Sequence, residues 1–205
     1  LHYQNEAEST SDEATHVISS IPISSLVRIL KPAPPPAILQ SADSLKYLST
    51  IVLYVVTHDR DVLGCAYLYM MDRPYNRISN TNRFHQQLSP EGENMLALEV
   101  TCHFNDETWK SSDDELFEKC IKHLESDGFA KKDDVKQFFT IRIKSAYPLF
   151  CLGYREKLAT VFEYFKQVPR LILAGRTGAY KYMDIDQCME DTADLVKRFK
   201  TEGTI

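Results

Sequence analysis

The chain has 205 residues, a formal net charge of −5, and an ordinary balance of hydrophobic (43%) and charged (26%) residues. This length suits one domain or slightly more, and the acidic balance argues against a general nucleic-acid binder, which would carry a basic face. No apolar run approaches the roughly 20 residues that a membrane span needs. Residues 1–14 are polar and acidic, unlike a signal peptide.

Cysteine usage indicates the compartment. The chain has five cysteines, and none belongs to a CxxC pair: Cys65, Cys102, Cys120, Cys151 and Cys188. An odd number cannot form a complete set of disulfides within one chain. We therefore predict free thiols in a reducing compartment and a cytoplasmic protein. The spacing gives no support to a zinc site.

The first part of the chain predicts a strand, a helix and a connector. Thr15–Pro22 has a strand pattern that stops at a proline, and Ile23–Leu30 can form a short helix with one apolar face. Lys31–Pro36 must be extended or turning, because proline fixes φ and lacks an N–H. A polyproline ligand for another protein is the alternative, but we interpret this run as a connector.

The middle of the chain predicts a sheet with a helix beside it. Four segments have strand patterns, with a turn at His58–Asp61 between the first two: Ser49–Thr57, Leu63–Met70, Met95–Phe104 and Phe138–Lys144. Alternation in the third strand makes one face apolar and places Glu99 on the other face, toward solvent or ligand. Ser112 and Glu115 form a capping-box pattern that opens a helix, and Gly128 ends that helix.

The last part of the chain predicts two more helices around a short strand. Arg155–Gln167 is predicted to be a helix, Arg170–Ala174 a buried strand, and Asp186–Lys200 the final helix. Four apolar residues of the final helix are expected on its buried side: Met189, Leu195, Val196 and Phe199. Together these elements predict an α+β, or mixed α/β, fold.

The segment from Leu171 to Gln187 combines features that suit a ligand. Its strand runs into a turn with two glycines, which allow the backbone to approach a bound ring or phosphate. Arg176 can bind phosphate oxygens through two parallel N–H groups. The helix after Asp184 presents free amides and positive partial charge. Each feature alone also has a structural explanation, such as a cap at Asp184 or a packed ring at Tyr182. Their combination is what indicates a site.

This segment resembles the closing flavin-contacting motif of UDP-galactopyranose mutases. It is also similar to that of FAD-dependent amine oxidases and protoporphyrinogen-oxidase-like enzymes. The motif residues are Gly175-Arg176-x-Gly178-x-Tyr180-x-Tyr182-x-Asp184-x-Asp186. Upstream features of this superfamily follow in similar order and spacing: His16 to Pro22, Arg77 after Tyr75-Asn76, Glu99, Ala146-Tyr147-Pro148 and Gly153-Tyr154. The resemblance covers the chain from Thr15 onward.

The resemblance implies how the chain is divided. Residues 31–168 would form a substrate-binding domain with a mixed or antiparallel sheet flanked by helices. Residues 1–30 and 169–205 would belong to a Rossmann-like FAD-binding domain, the second stretch as its last strand and helix. The GxGxxG unit that holds FAD in this superfamily does not occur here. We therefore expect a C-terminal fragment that pairs with an N-terminal FAD-binding segment, binds FAD weakly or not at all alone, and is not catalytically competent alone.

The resemblance also implies site residues. Those expected at the flavin are Gly175, Arg176, Tyr182, Met183, Asp184, Ile185 and Gln187. Those expected at the substrate are Arg77, Glu99, Tyr147, Arg176 and Tyr182. Arg77 and Tyr147 match positions that hold a nucleotide-sugar pyrophosphate in the mutases. The structural alternatives are a salt bridge from Arg77 to Glu99 or another acidic neighbour, and core packing for Tyr147. No catalytic residue and no metal site is implied.

Three functions stay open at this point. In the first, an oxidoreductase, flavin N5 accepts a hydride from a small-molecule substrate and this chain shapes the pocket. We place it first because residues 106–154 are closer to the oxidase-like branch. In the second, a mutase, reduced N5 attacks the anomeric carbon of a nucleotide sugar, which requires a pyrophosphate clamp. The third is a truncated, non-enzymatic module that docks through the proline run.

Overall fold

The computed structural model describes residues 1–4, 9–58 and 62–202. Apart from His58, the predicted turn at His58–Asp61 lies outside the described residues. The strands and helices of the described part follow in chain order: β1 (His2–Gln4), β2 (Ser9–Ser11), β3 (Val17–Ser19), α1 (Ile23–Ile29), α2 (Pro36–Ser44), β4 (Lys46–His58), β5 (Tyr67–Tyr69), β6 (Arg77–Asn80), β7 (Glu93–Cys102), α3 (Glu107–Lys110), α4 (Asp113–Ser126), β8 (Val135–Leu149), α5 (Tyr154–Phe165), β9 (Leu171–Leu173), α6 (Gly175–Gly178) and α7 (Ile185–Glu202).

The chain divides by compactness into two units. The first unit comprises residues 1–46 and 147–205, and the second comprises residues 47–146. The predicted division into 1–30, 31–168 and 169–205 concerns which parts of the chain hold substrate and which hold cofactor, so the division by compactness does not test it. The division into these three parts stays a prediction.

A five-stranded sheet forms the second unit, in the order β5-β6-β7-β4-β8. The pairs β4–β7, β5–β6 and β6–β7 are antiparallel. All four predicted strands lie in this sheet, so the predicted mixed α/β class and flanked sheet are confirmed. The strand expected at Leu63–Met70 is shorter, because Gly64 has a φ of 66° and the chain bends before Tyr67.

Helix α4 covers the apolar face of the sheet. The capping box that opens it is confirmed: Ser112 Oγ accepts from the Glu115 amide at 3.2 Å, and Glu115 Oε2 accepts from the Ser112 amide at 2.8 Å. Its apolar residues are all buried, as their helical spacing predicts: Leu116, Phe117, Cys120, Ile121 and Leu124. They pack against buried side chains of β4 and β7, such as Leu53 and Leu98. Burying a leucine of this kind stabilises the fold by about 1.5–3 kcal/mol.

Tyr75 lies in this core with an unsatisfied hydroxyl. The residue is fully buried, and its Oη has no hydrogen-bond partner within the described part of the chain. Burial also raises the pKa of Tyr75, so the hydroxyl stays protonated at neutral pH. A buried polar group without a partner costs about 1–3 kcal/mol. We therefore expect Tyr75→Phe to raise the free energy of unfolding by about 1 kcal/mol in urea titrations. A loss of stability would contradict the absence of a partner.

A parallel pair of short strands belongs to the first unit. β3 pairs with β9 in the register Val17–Leu171, Ile18–Ile172 and Ser19–Leu173, so the predicted strands at Thr15–Pro22 and Arg170–Ala174 are both present in shorter form. Parallel strands are usually buried on both faces. Here, however, Ile18 is 57% exposed, so the described chain leaves one side of this pair uncovered.

Two features of the first unit were not predicted. Helix α2 begins at Pro36, where the missing N–H of proline costs nothing because the first helical amides have no intrahelical acceptor. The last proline of the run is therefore the first residue of a helix, which the sequence pattern did not indicate because proline usually interrupts helices. No element was assigned before Thr15, but His2–Gln4 (β1) and Ser9–Ser11 (β2) form an antiparallel pair.

Candidate functional site

The turn after β9 is pressed against the end of β3. α6 is a single helical turn that begins at Gly175, whose φ of 70° suits glycine. At Gly178, an added Cβ would lie 2.6 Å from the Ser19 carbonyl oxygen. The sequence suggested that both glycines make room for a ligand. At Gly178 this is wrong, because the space is occupied by the backbone of β3.

Arg176 projects from this turn onto two aromatic rings. Its Cζ lies 4.5 Å from the ring centroid of Tyr147 and 4.3 Å from that of Tyr182. The two rings are nearly parallel, with their centroids 6.0 Å apart. These are cation–π contacts. The structure therefore brings together three of the residues predicted to face the substrate.

The guanidinium of Arg176 has an unsatisfied edge. Nε and Nη2 are buried and have no hydrogen-bond partner in the described part of the chain. If Arg176 faces the substrate, as the motif implies, its polar tip is expected to be exposed without ligand, and this is wrong for these two nitrogens. Together they form the side edge that binds a carboxylate or phosphate through two parallel N–H bonds. Leaving such donors unpaired is costly, so this edge fits a ligand with two acceptor atoms.

Helix α7 starts where the motif predicted, directly after Asp184. The Asp184 amide donates to Gln187 Oε1 at 2.9 Å, which is one half of a capping box. Residues 184–187 are exposed. Within the described residues we find no acceptor for the amides of Ile185 to Gln187. Such a helix start carries positive partial charge and free donors.

A groove of about 590 Å³ lies beside this helix start. One wall is a stripe of α5, formed by Tyr154, Leu158 and Phe162, and Tyr182 lines the groove as well. Arg176 does not line it. Because the motif implies that Arg176 and Tyr182 both face the substrate, they are expected to line one cleft beside the helix start. This is wrong for this groove, because the guanidinium lies against the rings of Tyr147 and Tyr182.

The burial of α7 differs from the predicted pattern. Leu195 is buried, and Phe199 packs edge-on against His16 with the ring centroids 5.5 Å apart. Met189 is 68% exposed and Val196 is 45% exposed. The expected burial of these two residues is wrong, because nothing in the described chain covers that side of the helix.

Arg77 and Glu99 form the other predicted cluster, in the second unit. They are direct cross-strand partners on β6 and β7. The Arg77 Nε donates to Glu99 Oε1 at 2.9 Å, and Nη2 donates to the same oxygen. The rings of Tyr67 and Tyr69 lie 5.7 and 6.0 Å from the Arg77 Cζ. The salt bridge considered as the structural alternative is therefore present, and the role of this pair at a substrate stays a prediction.

Comparison with known proteins agrees with the motif. No protein-family model and no curated protein matches the chain. Among solved structures, it resembles reduced UDP-galactopyranose mutase, with a TM-score of 0.78 and 21% identity over 93% of this chain and 41% of that one. A putative protoporphyrinogen oxidase from Exiguobacterium sp. 255-15 gives a TM-score of 0.69 and 18% identity over 98% and 46%. An A394C variant of putrescine oxidase gives a TM-score of 0.63 and 14% identity over 90% of this chain and 43% of that one.

The chain has the fold of FAD-dependent flavoproteins of the amine-oxidase type. The resemblance stated from the closing motif is thereby confirmed at the level of the fold. The chain spans less than half the length of each of these flavoproteins. Their activities therefore enter below only as proposals.

Two aromatic residues beside Arg77 escaped the sequence analysis. Tyr67 and Tyr69 occupy alternate positions on β5, pack edge-on with their centroids 5.7 Å apart, and are 47% and 67% exposed. Their Tyr-x-Tyr spacing was the available signal, since alternate residues of a strand share one face. Only the observed register, which pairs Tyr69 with Arg77, shows which side chains they meet.

The cysteines, acidic groups and helices of the described chain give no sign of another kind of site. The cysteines are free thiols, and burial raises the pKa of Cys102 to about 11 and of Cys120 to about 12, which keeps both unreactive. Among the described residues, no cluster of three or more His, Cys, Asp or Glu could hold a metal ion. Over the same ranges, no helix is long and apolar enough to cross a membrane.

Proposed function

We propose that this chain supplies the flavin-contacting turn and the substrate-facing sheet of an FAD-dependent oxidoreductase of the amine-oxidase type. The observation that carries the proposal is the buried edge of Arg176, whose Nε and Nη2 lack acceptors while Tyr147 and Tyr182 hold the guanidinium in place. A guanidinium that is held in place with two N–H groups lacking acceptors does not stabilise the chain by itself. It can, however, bind a ligand through two parallel hydrogen bonds.

The residues of the turn fit a flavin. The amides of residues 185–187 and the positive end of α7 suit an electron-rich carbonyl or an anion. When bound, FAD supplies a hydride-accepting N5 and takes negative charge onto its pyrimidine ring on reduction. In this proposal the start of α7 stabilises that charge. The residues that would hold the cofactor are Gly175, Arg176, Tyr182, Met183, Asp184, Ile185 and Gln187.

The rest of the cofactor needs other residues. This sequence has no GxGxxG unit to bind the pyrophosphate of FAD. The flavoproteins that share the fold are more than twice as long as the part that the chain matches. We propose that a segment outside these 205 residues binds the phosphates and adenosine.

The pairing of Arg77 with Glu99 favours the oxidoreductase over the mutase. A pyrophosphate clamp needs cationic groups that are available to phosphate oxygens. Here two guanidinium nitrogens of Arg77 already donate to Glu99, which neutralises the charge. The unsatisfied edge of Arg176 would still suit a phosphate, so a nucleotide-sugar mutase is the second candidate.

Nucleotide binding by the natural protein that contains this chain separates the two candidates. If the oxidoreductase proposal is correct, UDP does not bind measurably in calorimetry, and Arg77→Ala leaves turnover of the true substrate largely intact. If the mutase candidate is correct, UDP binds and Arg77→Ala weakens it by roughly 1.5–3 kcal/mol, the value for a charged hydrogen bond.

Two further variants sharpen this comparison. Glu99→Gln removes the carboxylate that neutralises Arg77, so a mutase should bind UDP more tightly while an oxidoreductase should still not bind it. Lys122→Ala, an exposed cation on α4 of the same unit, serves as the control for a general loss of positive charge. Tight UDP binding that depends on Arg77 would overturn the oxidoreductase assignment.

A further inference from the structure

The hydroxyl of Tyr180 lies within hydrogen-bond distance of two strand ends. Tyr180 is 2% exposed, and its Oη is 2.8 Å from the Lys46 carbonyl oxygen and 2.9 Å from that of Leu149. Lys46 is the first residue of β4, and Leu149 is the last residue of β8. A phenol carries one proton, so it donates to one of these carbonyls at a time. Burial raises the pKa of Tyr180 to about 12, which keeps that proton in place at neutral pH.

The backbone of Tyr180 is held in an unfavourable conformation. Its φ of 51° lies in the left-handed region, which costs free energy for a tyrosine and persists only where the surroundings fix it. The surroundings do fix it. The Lys181 amide donates to the Arg176 carbonyl at 3.0 Å, and Thr177 Oγ1 donates to the Ser20 carbonyl at 2.7 Å. The turn that carries Arg176 therefore reaches Tyr180 with little freedom.

Both rings that contact Arg176 are linked to Tyr180, one through a hydrogen bond to its strand and the other along the chain. Tyr147 precedes Leu149 by two positions on β8, so the hydrogen bond from Tyr180 to Leu149 restrains the strand end that carries Tyr147. Tyr182 follows Tyr180 by two positions in the loop before α7. One buried residue thus restrains the partner rings of the guanidinium from both sides.

We propose that Tyr180 is a positioning residue that acts through Tyr147 and Tyr182 to hold Arg176 and its unsatisfied edge in a fixed orientation. Its hydroxyl secures the end of β8, and its backbone sets the direction in which the loop leaves the turn. The orientation of Arg176 is a property of the chain itself. Only the identity of the ligand at that edge rests on the proposed function.

The test is an NMR measurement on the ¹⁵N-labelled natural protein that contains this chain, in its ligand-free form. The Nε–H resonance of Arg176 is assigned by its loss in Arg176→Lys. In the wild type we expect slow hydrogen exchange, because Nε is buried, and a shift caused by the adjacent rings. In Tyr180→Phe, which removes one oxygen and keeps the ring, we expect exchange at this position to become at least about tenfold faster through easier local opening, and the resonance to move toward that of an exposed arginine.

The control is a variant that lowers stability elsewhere in the same unit. Val161→Ala creates a small cavity at a buried position of α5, and we expect it to leave the Arg176 resonance unchanged. If Tyr180→Phe leaves exchange and shift unchanged, or if Val161→Ala alters them equally, Tyr180 is not a positioning residue. Titration with FAD tests the proposed function separately. An Arg176 resonance that does not respond counts against a ligand at this edge, while the exchange rates of the ligand-free protein still decide the role of Tyr180.

Discussion

Arg176→Ala is expected to weaken FAD binding by the natural protein that contains this chain by about 3 kcal/mol, or more than 100-fold. Two charge-assisted hydrogen bonds of about 1.5–3 kcal/mol each would be lost, and every 1.4 kcal/mol is a factor of about 10 in affinity. Flavin fluorescence titration measures the dissociation constant. Arg176→Lys should recover only part of the loss, because lysine keeps the charge and lacks the two-pronged edge.

The stability of the ligand-free chain provides an independent check on this variant. Arg176→Ala removes two buried donors that lack acceptors among the described residues, which favours folding, and it also loses the cation–π contacts with Tyr147 and Tyr182. Because these effects oppose each other, we expect the free energy of unfolding to change little. Arg198→Ala, on the exposed side of α7, is the matched control and should bind FAD as the wild type does. A folded Arg176→Ala protein with wild-type FAD affinity would contradict the assigned role.

Gly178→Ala is expected to lower the free energy of unfolding by about 3 kcal/mol, at the upper end of the range for overpacking. The added Cβ would lie 2.6 Å from the Ser19 carbonyl oxygen and 3.0 Å from the Ser20 Cα. Both are backbone atoms, which cannot rotate away as a flexible side chain can. Urea unfolding followed by circular dichroism measures the change.

Gly92→Ala is the control for Gly178→Ala. Gly92 has a φ of 75°, and an added Cβ there meets nothing within 4 Å, so only the left-handed backbone costs free energy, about 1–2 kcal/mol. A smaller loss at Gly178 than at Gly92 would show that α6 can move away from β3. In that case the close contact does not fix the position of Arg176.

Sequence reasoning succeeded where one local signal decided the structure. The capping box at Ser112 and Glu115 and the spacing of Leu116 to Leu124 predicted both the start and the buried face of α4. These features depend on residues three and four positions apart in the chain. The alternation in β7 likewise placed Leu98 in the core and Glu99 on the opposite face.

Sequence reasoning failed where a distant segment decided the outcome. Met189 and Val196 have the spacing of a buried stripe, yet burial depends on what covers the helix, and the pattern does not contain that information. Gly178 looked like a residue that admits a ligand, and its actual neighbour, Ser19, is far away in the sequence. The start of α2 was hidden because Pro36 both breaks and begins helices.

The sequence identified residues of the candidate site but not the contacts that they make. The motif named Arg176, Tyr182 and Asp184 together, and the structure places the first two in contact. The motif could not reveal that the guanidinium of Arg176 lies against two rings, because one of them, Tyr147, belongs to another element, β8. Nor could it show that Arg77 is paired with Glu99, since a cross-strand register depends on the whole sheet.

Hydrogen–deuterium exchange across the closing motif tests the central claim most directly. The measurement compares the natural protein that contains this chain with and without FAD, and follows peptides that cover residues 175–190. We predict that FAD slows exchange of the amides of Ile185 to Gln187, which lack acceptors in the described chain, and of the Arg176 turn, while the outer surface of α4 is unaffected. Unchanged exchange across this motif when FAD is bound would contradict the account.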